Sequence, residues 1–124
     1  MSKRVLIVDD DEDVLSVTSL GLEMSAGWQV LTARSGQEAI AIAIEQQPDV
    51  ILLDWMMPAM DGRATLQALR GNPVTSTIPV ILVTAKAQSP DGSTFAGVEV
   101  AAILTKPLRP LKLAEQIKRA LSSS

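Results

Sequence analysis

Three runs of the chain, Val5–Val8, Val50–Leu53 and Val80–Val83, are apolar at consecutive positions and rich in β-branched side chains. Successive side chains of a strand point to opposite faces, so a strand with one wet face alternates polar and apolar residues. A strand that is apolar at every position is buried on both faces. Burial on both faces requires helices above and below the sheet, and such sheets are parallel, with helical crossovers joining their strands. Val30–Ala33 and Ala102–Leu104 are weaker candidates for two more strands.

Helix signals fall between these runs. The stretch from about Glu12 to Ala26 places Val14, Val17, Gly21 and Met24 on one side, and Gly27 can end it in a left-handed cap. Ser35-Gly36-Gln37-Glu38 matches a capping box, with Ala39, Ile40, Ala43 and Ile44 following as an apolar stripe and Pro48 as the stop. Asp61 can cap a third helix through Leu66 and Leu69, which Gly71 and Pro73 terminate. Pro110 suits the first turn of a last helix, where Leu113, Ile117 and Leu121 recur every four residues. A further helix is expected between Lys86 and Val98, but Ser89-Pro90-Asp91-Gly92 gives it a poor start. The pattern is (βα)5, which implies right-handed crossovers and a three-layer α/β sandwich.

With 124 residues, the chain is read as one domain, residues 1–124. No apolar run approaches a membrane span and no signal-peptide pattern follows Met1, so a cytoplasmic protein with no membrane association is expected. There is no cysteine, which removes disulfides, thiolate catalysis and thiolate metal sites, and no histidine, which removes Ser-His-Asp chemistry and imidazole–zinc sites. The formal net charge of −3 gives no reason to expect direct nucleic-acid binding.

In open parallel sheets ligands bind beyond the carboxyl ends of the strands. Read that way, the first strand ends in Asp9-Asp10, the third in Asp54, the fourth in Thr84-Ala85 and the fifth in Thr105-Lys106-Pro107. Three carboxylates, a hydroxyl and an ammonium can meet on one edge. Carboxylates sharing a pocket either raise one another's pKa or recruit a cation, and an all-oxygen donor set favours Mg²⁺. A carboxylate facing a divalent ion, a hydroxyl and a lysine can act as a nucleophile toward phosphorus. Asp11, Glu12 and Asp13, which continue the acidic run, are expected instead to favour the start of a helix, one of them as its N-cap.

The segments VLIVDDDED, DVILLDWMMPAMDG, ILVTAKA and ILTKP, in this order, resemble the response-regulator receiver domain of two-component signalling over essentially the whole chain. The resemblance implies a flavodoxin-like doubly wound fold with strand order 2-1-3-4-5, here a stand-alone receiver. It implies that Asp54 accepts phosphate from a phosphohistidine on a histidine kinase or histidine phosphotransfer protein, another protein because this chain has no histidine. By the same resemblance Asp10, Asp54 and the backbone carbonyl of Met56 would ligate Mg²⁺, and Asp9 would act through metal-bound water. Thr84 would hydrogen-bond the phosphoryl group, small Ala85 would keep access open, and Lys106 would pair with a phosphoryl oxygen, held by a cis peptide to Pro107. Such a domain is a switch that alters binding of a downstream protein. It is not a metabolic enzyme, although it assists its own phosphorylation and dephosphorylation.

Two positions bear on how such a switch runs. Many receivers carry an aromatic residue where this chain has Ile103, so any switch here must be read through the helix after the fourth strand and the loop around Thr84. Met56 and Lys86 stand two residues after Asp54 and Thr84, where family members tune attack of water on the acyl phosphate, and apolar Met56 is expected to slow it. A degenerate receiver serving as a phosphorylation-independent scaffold is the alternative reading, and a Mg²⁺-dependent hydrolase a third. Intact Asp9, Asp10, Asp54, Thr84 and Lys106 argue against the former, and the lack of a further general base against the latter. An EF-hand starting at Asp9 fails because Val14 and Leu20 occupy the glycine and glutamate positions. A haloacid-dehalogenase-like phosphatase fails because Met56 stands where its second acid belongs.

Overall fold

Strands β1 (Arg4–Val8), β2 (Gln29–Ala33), β3 (Val50–Asp54), β4 (Val80–Thr84) and β5 (Ala102–Thr105) form one parallel sheet in the order β2-β1-β3-β4-β5. Helices α1 (Glu12–Ala26), α2 (Gly36–Gln46), α3 (Gly62–Arg70) and α4 (Pro110–Ser122) accompany them. The computed structural model describes residues 3–55, 62–85 and 100–122. The helix expected between Lys86 and Val98, the cap expected at Asp61, and the positions of Met56 and Lys86 lie outside the described residues. The expected strand order and parallel pairing are both present.

The reason the central strands are apolar at every position is visible in the two cores. Val5 and Ile7, Val50 and Leu52, and Ile81 and Val83 face one side, where they meet Leu15 and Leu22 of α1 and Leu113 and Ile117 of α4. Leu6 and Val8, Ile51 and Leu53, and Val80 and Leu82 face the other, against Ala39 and Ala43 of α2 and Leu66 and Leu69 of α3. The pleat's period of two thus feeds both layers at once. Ile103 is half-buried on the α2/α3 side, packed against that second core.

Local signals set the helix ends. Asp11 is the N-cap of α1, its carboxylate accepting from the amides of Asp13 at 2.9 Å and Val14 at 3.4 Å. Gly27 closes the same helix at φ 68°, a conformation that favours glycine. Ser35 caps α2 by accepting from the Glu38 amide at 3.1 Å.

Two helix faces differ from the expectation. On α1 the buried residues are Leu15, Thr18, Gly21 and Leu22, whereas Val17 and Met24 are 58 % and 72 % exposed. The helix carries two apolar stripes, and periodicity does not choose between them. The sheet takes Leu15 and Leu22, while Val14 and Val17 line an open groove of about 490 Å³ beside Pro107, Leu108 and Pro110. On α2 the small residues Gly36, Ala39 and Ala43 are the buried ones, and Ile44 is turned outward.

Candidate functional site

Strand β1 pairs with β2 on one side and β3 on the other, so the chain winds away in both directions from the β1/β3 boundary. Crevices open at such reversals beyond the carboxyl ends of the strands. Asp9 follows the last residue of β1 and Asp54 is the last residue of β3, so both carboxylates stand at this boundary. Strand parity also brings them together. Asp9 continues the series Val5, Ile7, and Asp54 continues Val50, Leu52, both on the α1/α4 side. Lys106 continues Ala102, Leu104 of β5, which pack on that same side. Thr84 follows Val80, Leu82 and has the opposite parity.

Three side chains converge accordingly. Lys106 Nζ donates to Asp9 Oδ2 at 3.1 Å and lies 3.4 Å from Asp54 Oδ2. Asp9 and Asp54 are each 3 % exposed, while Lys106 remains partly solvated. Asp9 has both oxygens engaged, because its Oδ1 accepts from the Asp11 amide at 2.9 Å. The Lys106 amide donates to the Thr84 carbonyl at 2.8 Å, fixing the end of β5 against β4. The Lys106–Pro107 peptide is cis. Burial is the largest single influence on the Lys106 ammonium and works against it. The hydrogen bond to Asp9 and the charges of Asp54 and Asp9 together outweigh that influence and hold its pKa above the usual lysine value.

One oxygen each from Asp9, Asp10 and Asp54 lie within 4.8 Å of one another. Three carboxylates facing one ammonium leave two negative charges uncompensated, and all the donors are hard oxygens. That donor set fits a divalent cation of the Mg²⁺ type, with exposed Asp10 on the open side. The structure therefore brings Asp9, Asp10, Asp54 and Lys106 together, with Thr84 buried at the end of the neighbouring strand. Met56, the remaining expected ligand, lies outside the described residues.

The residue after Asp54 is held more elaborately than its sequence indicates. Trp55 donates its amide to the Val83 carbonyl at 2.9 Å and accepts from the Gly62 amide at 3.1 Å. Trp55 is 7 % exposed, and its ring centroid lies 5.3 Å from the Arg63 guanidinium. Gly62 is the first residue of α3, where a Cβ would sit 2.7 Å from the Trp55 Cα. The close backbone approach admits only glycine without displacement, and nothing in the local spacing marks it.

The Response regulator receiver domain family model matches residues 5–118. The chain belongs to that family. Among its relatives, the phosphate regulon transcriptional regulatory protein PhoB of Pseudomonas aeruginosa is 37 % identical over 123 residues, 98 % of this chain and 52 % of the relative. The transcriptional regulatory protein PrrA of Mycobacterium tuberculosis is 40 % identical over 122 residues, 97 % of this chain and 50 % of the relative. The receiver thus spans about half the length of these two proteins. Among solved structures, the chemotaxis protein CheY4 of Vibrio cholerae matches with a TM-score of 0.86 at 30 % identity, covering 97 % of this chain and 99 % of that one. A CheY-like receiver domain protein of Methanospirillum hungatei matches with a TM-score of 0.82 at 32 % identity, covering 99 % and 96 %. Receivers are the signalling switches of two-component systems, in which they interact with histidine kinases or phosphotransfer proteins. Among the described residues no helix is long and apolar enough to cross a membrane.

Proposed function

We propose that this receiver, residues 1–124 acting as one unit, takes a phosphoryl group onto Asp54 from a phosphohistidine on a histidine kinase or histidine phosphotransfer protein and thereby changes its affinity for a downstream protein. The observation that carries the reading is the placement of nearly buried Asp54 against Lys106, within one oxygen cluster with Asp9 and Asp10. An oxygen of the Asp54 carboxylate attacks phosphorus, the P–N bond to the donor imidazole breaks, and that imidazole leaves with the electron pair and takes a proton. The Asp54 side chain becomes an acyl phosphate.

Each neighbour has a part that follows from its charge and position. Lys106, cationic and already within reach of Asp54, pairs with a phosphoryl oxygen once the Asp54 charge has been consumed by the new bond. Thr84 offers a hydroxyl from the adjoining strand end. Asp9 holds Lys106 in place, and Asp9, Asp10 and Asp54, with the Met56 carbonyl, would hold Mg²⁺. When bound, such an ion would supply positive charge that offsets the charge on the phosphoryl oxygens. Small Ala85 next to Thr84 leaves the approach open.

The test is addition of Mg²⁺ with acetyl phosphate or beryllofluoride to wild type and Asp54→Ala, followed by intact mass and tryptophan emission. Wild type gains the adduct and its Trp55 emission changes, while Asp54→Ala does neither. Absence of an adduct on wild type would instead make the chain a phosphorylation-independent scaffold, and sustained phosphate release would make it a hydrolase.

A further inference from the structure

We propose that Arg63 is a positioning residue for Asp54 that acts through the Trp55 ring, an inference that rests on Asp54 being the phosphoryl acceptor. The carboxylate of Asp54 is aimed by its own backbone, and the next residue, Trp55, is held by three contacts. Strand β4 takes the Trp55 amide, the first residue of α3 donates to the Trp55 carbonyl, and the indole meets both the Gly62 backbone and the Arg63 guanidinium. A Cβ on Gly62 would stand 2.8 Å from Cε3 of the ring, so the helix start and the indole are already in full contact. Beyond Arg63, Leu66 and Leu69 pack into the same core as Trp55, which ties the ring to the body of α3. Attack on phosphorus needs the oxygen in line with the leaving atom, so a tilt at the Asp54–Trp55 peptide changes the rate directly. The guanidinium is held to the ring by the attraction of a cation for an aromatic face.

The molecule contains its own control. Lys118 of α4 lies 5.7 Å from the centroid of Trp28, the same kind of contact in the other core, on a residue adjoining none of Asp9, Asp10, Asp54, Thr84 or Lys106. The experiment compares wild type, Arg63→Ala, Arg63→Lys and Lys118→Ala in the full chain. It reads initial adduct formation by intact mass at saturating Mg²⁺ and acetyl phosphate, with Trp55 emission read in a Trp28→Phe background. Arg63→Ala is expected to slow adduct formation up to about tenfold, short of the roughly hundredfold that a 1 Å misplacement costs. Arg63→Lys restores most of the rate, Lys118→Ala leaves it unchanged, and Trp55 emission shifts only in Arg63→Ala. In a Trp55→Leu background, Arg63→Ala has no further effect on the rate. A rate in Arg63→Ala equal to wild type, or an equal loss in Lys118→Ala, overturns the proposal. So does an Arg63→Ala effect that persists without the indole, since the charge would then act on the site directly. A wild type that forms no adduct removes the acceptor reading and this inference with it, whereas an adduct that forms regardless of Arg63 removes this inference alone.

Discussion

Replacing Gly21 with alanine adds one methyl group to the middle of α1, where the helix backbone meets Pro110 at the start of α4. Two forces then act with opposite sign. Within the helix, alanine is favoured over glycine by about 1 kcal/mol. Across the interface, the new Cβ would sit 2.1 Å from the Pro110 Cβ and 3.0 Å from its Cα and carbonyl carbon. Carbon atoms rest about 3.5–4.0 Å apart, so the two helices must separate by roughly 1.5 Å. Neither partner can yield alone, because the atoms met belong to a rigid ring and a backbone. Leu113 and Ile117, which follow Pro110 on α4, are fully buried. Overpacking of this kind costs typically about 1–3 kcal/mol, and the largest part of that range applies where backbone must move. The net effect is a loss of about 1–2 kcal/mol, or a fall in Tm of roughly 4–8 °C for a domain of this size. Thermal unfolding followed by circular dichroism measures it. The comparison variant is Gly27→Ala, whose Cβ meets nothing within 4 Å and whose cost comes only from its positive φ. A Gly21→Ala protein that melts higher than wild type would refute the reasoning, since propensity would then outweigh the interface.

Further outcomes follow from the site. Asp10→Asn is expected to abolish the stabilisation that Mg²⁺ confers, about 1.4 kcal/mol at ten times the dissociation constant, whereas Asp13→Asn keeps it and loses about 0.3–1 kcal/mol of helix stability; melting curves with and without Mg²⁺ distinguish the two. Lys106→Met leaves Asp9 and Asp54 facing each other and is expected to cost about 1–2 kcal/mol in urea unfolding without Mg²⁺, less than a fully buried pair because the lysine is partly solvated. The Lys106 pKa is raised on folding, so its contribution to stability is complete below the ordinary lysine pKa of roughly 10.4 and is lost as pH rises through the higher folded value. Wild type should therefore lose Tm above that pH more steeply than Lys106→Met does. Met56→Asn should shorten the lifetime of the acyl phosphate, and a lifetime equal to or longer than wild type counts against a shielding role for Met56.

The sheet and the clustering of the candidate site residues could be read from the residues because both depend on local pattern. Val5–Val8 and Val80–Val83 announce two-sided burial by composition, and an acid directly after such a run must stand at a strand's carboxyl end. Asp11 as a cap is likewise local, a matter of which carboxylate precedes the first helical turn. The features that were not legible depend on which surfaces meet. Val17 and Met24 carry the helical period as well as Leu15 and Leu22 do, and only the position of the sheet relative to α4 decides which stripe is covered. Gly21 and Gly62 look like breaks in helices or loops, but each lies where another backbone or ring presses against it. The Trp55–Arg63 contact joins the residue after β3 to the first turn of α3, and no periodicity links them.

The shared parity of Asp9, Asp54 and Lys106 has a consequence for how this molecule tolerates error. Each of these charges is the next step in a row of side chains that fills the α1/α4 core. A slip of one residue in β1 or β3 would turn that row over, sending a carboxylate toward the opposite layer and exchanging the two sets of core side chains in the same motion. Folding and chemistry therefore cannot fail separately in these strands. A chain that has assembled its core in register has also brought this carboxylate–lysine cluster together, so the hydrophobic layers proofread the site.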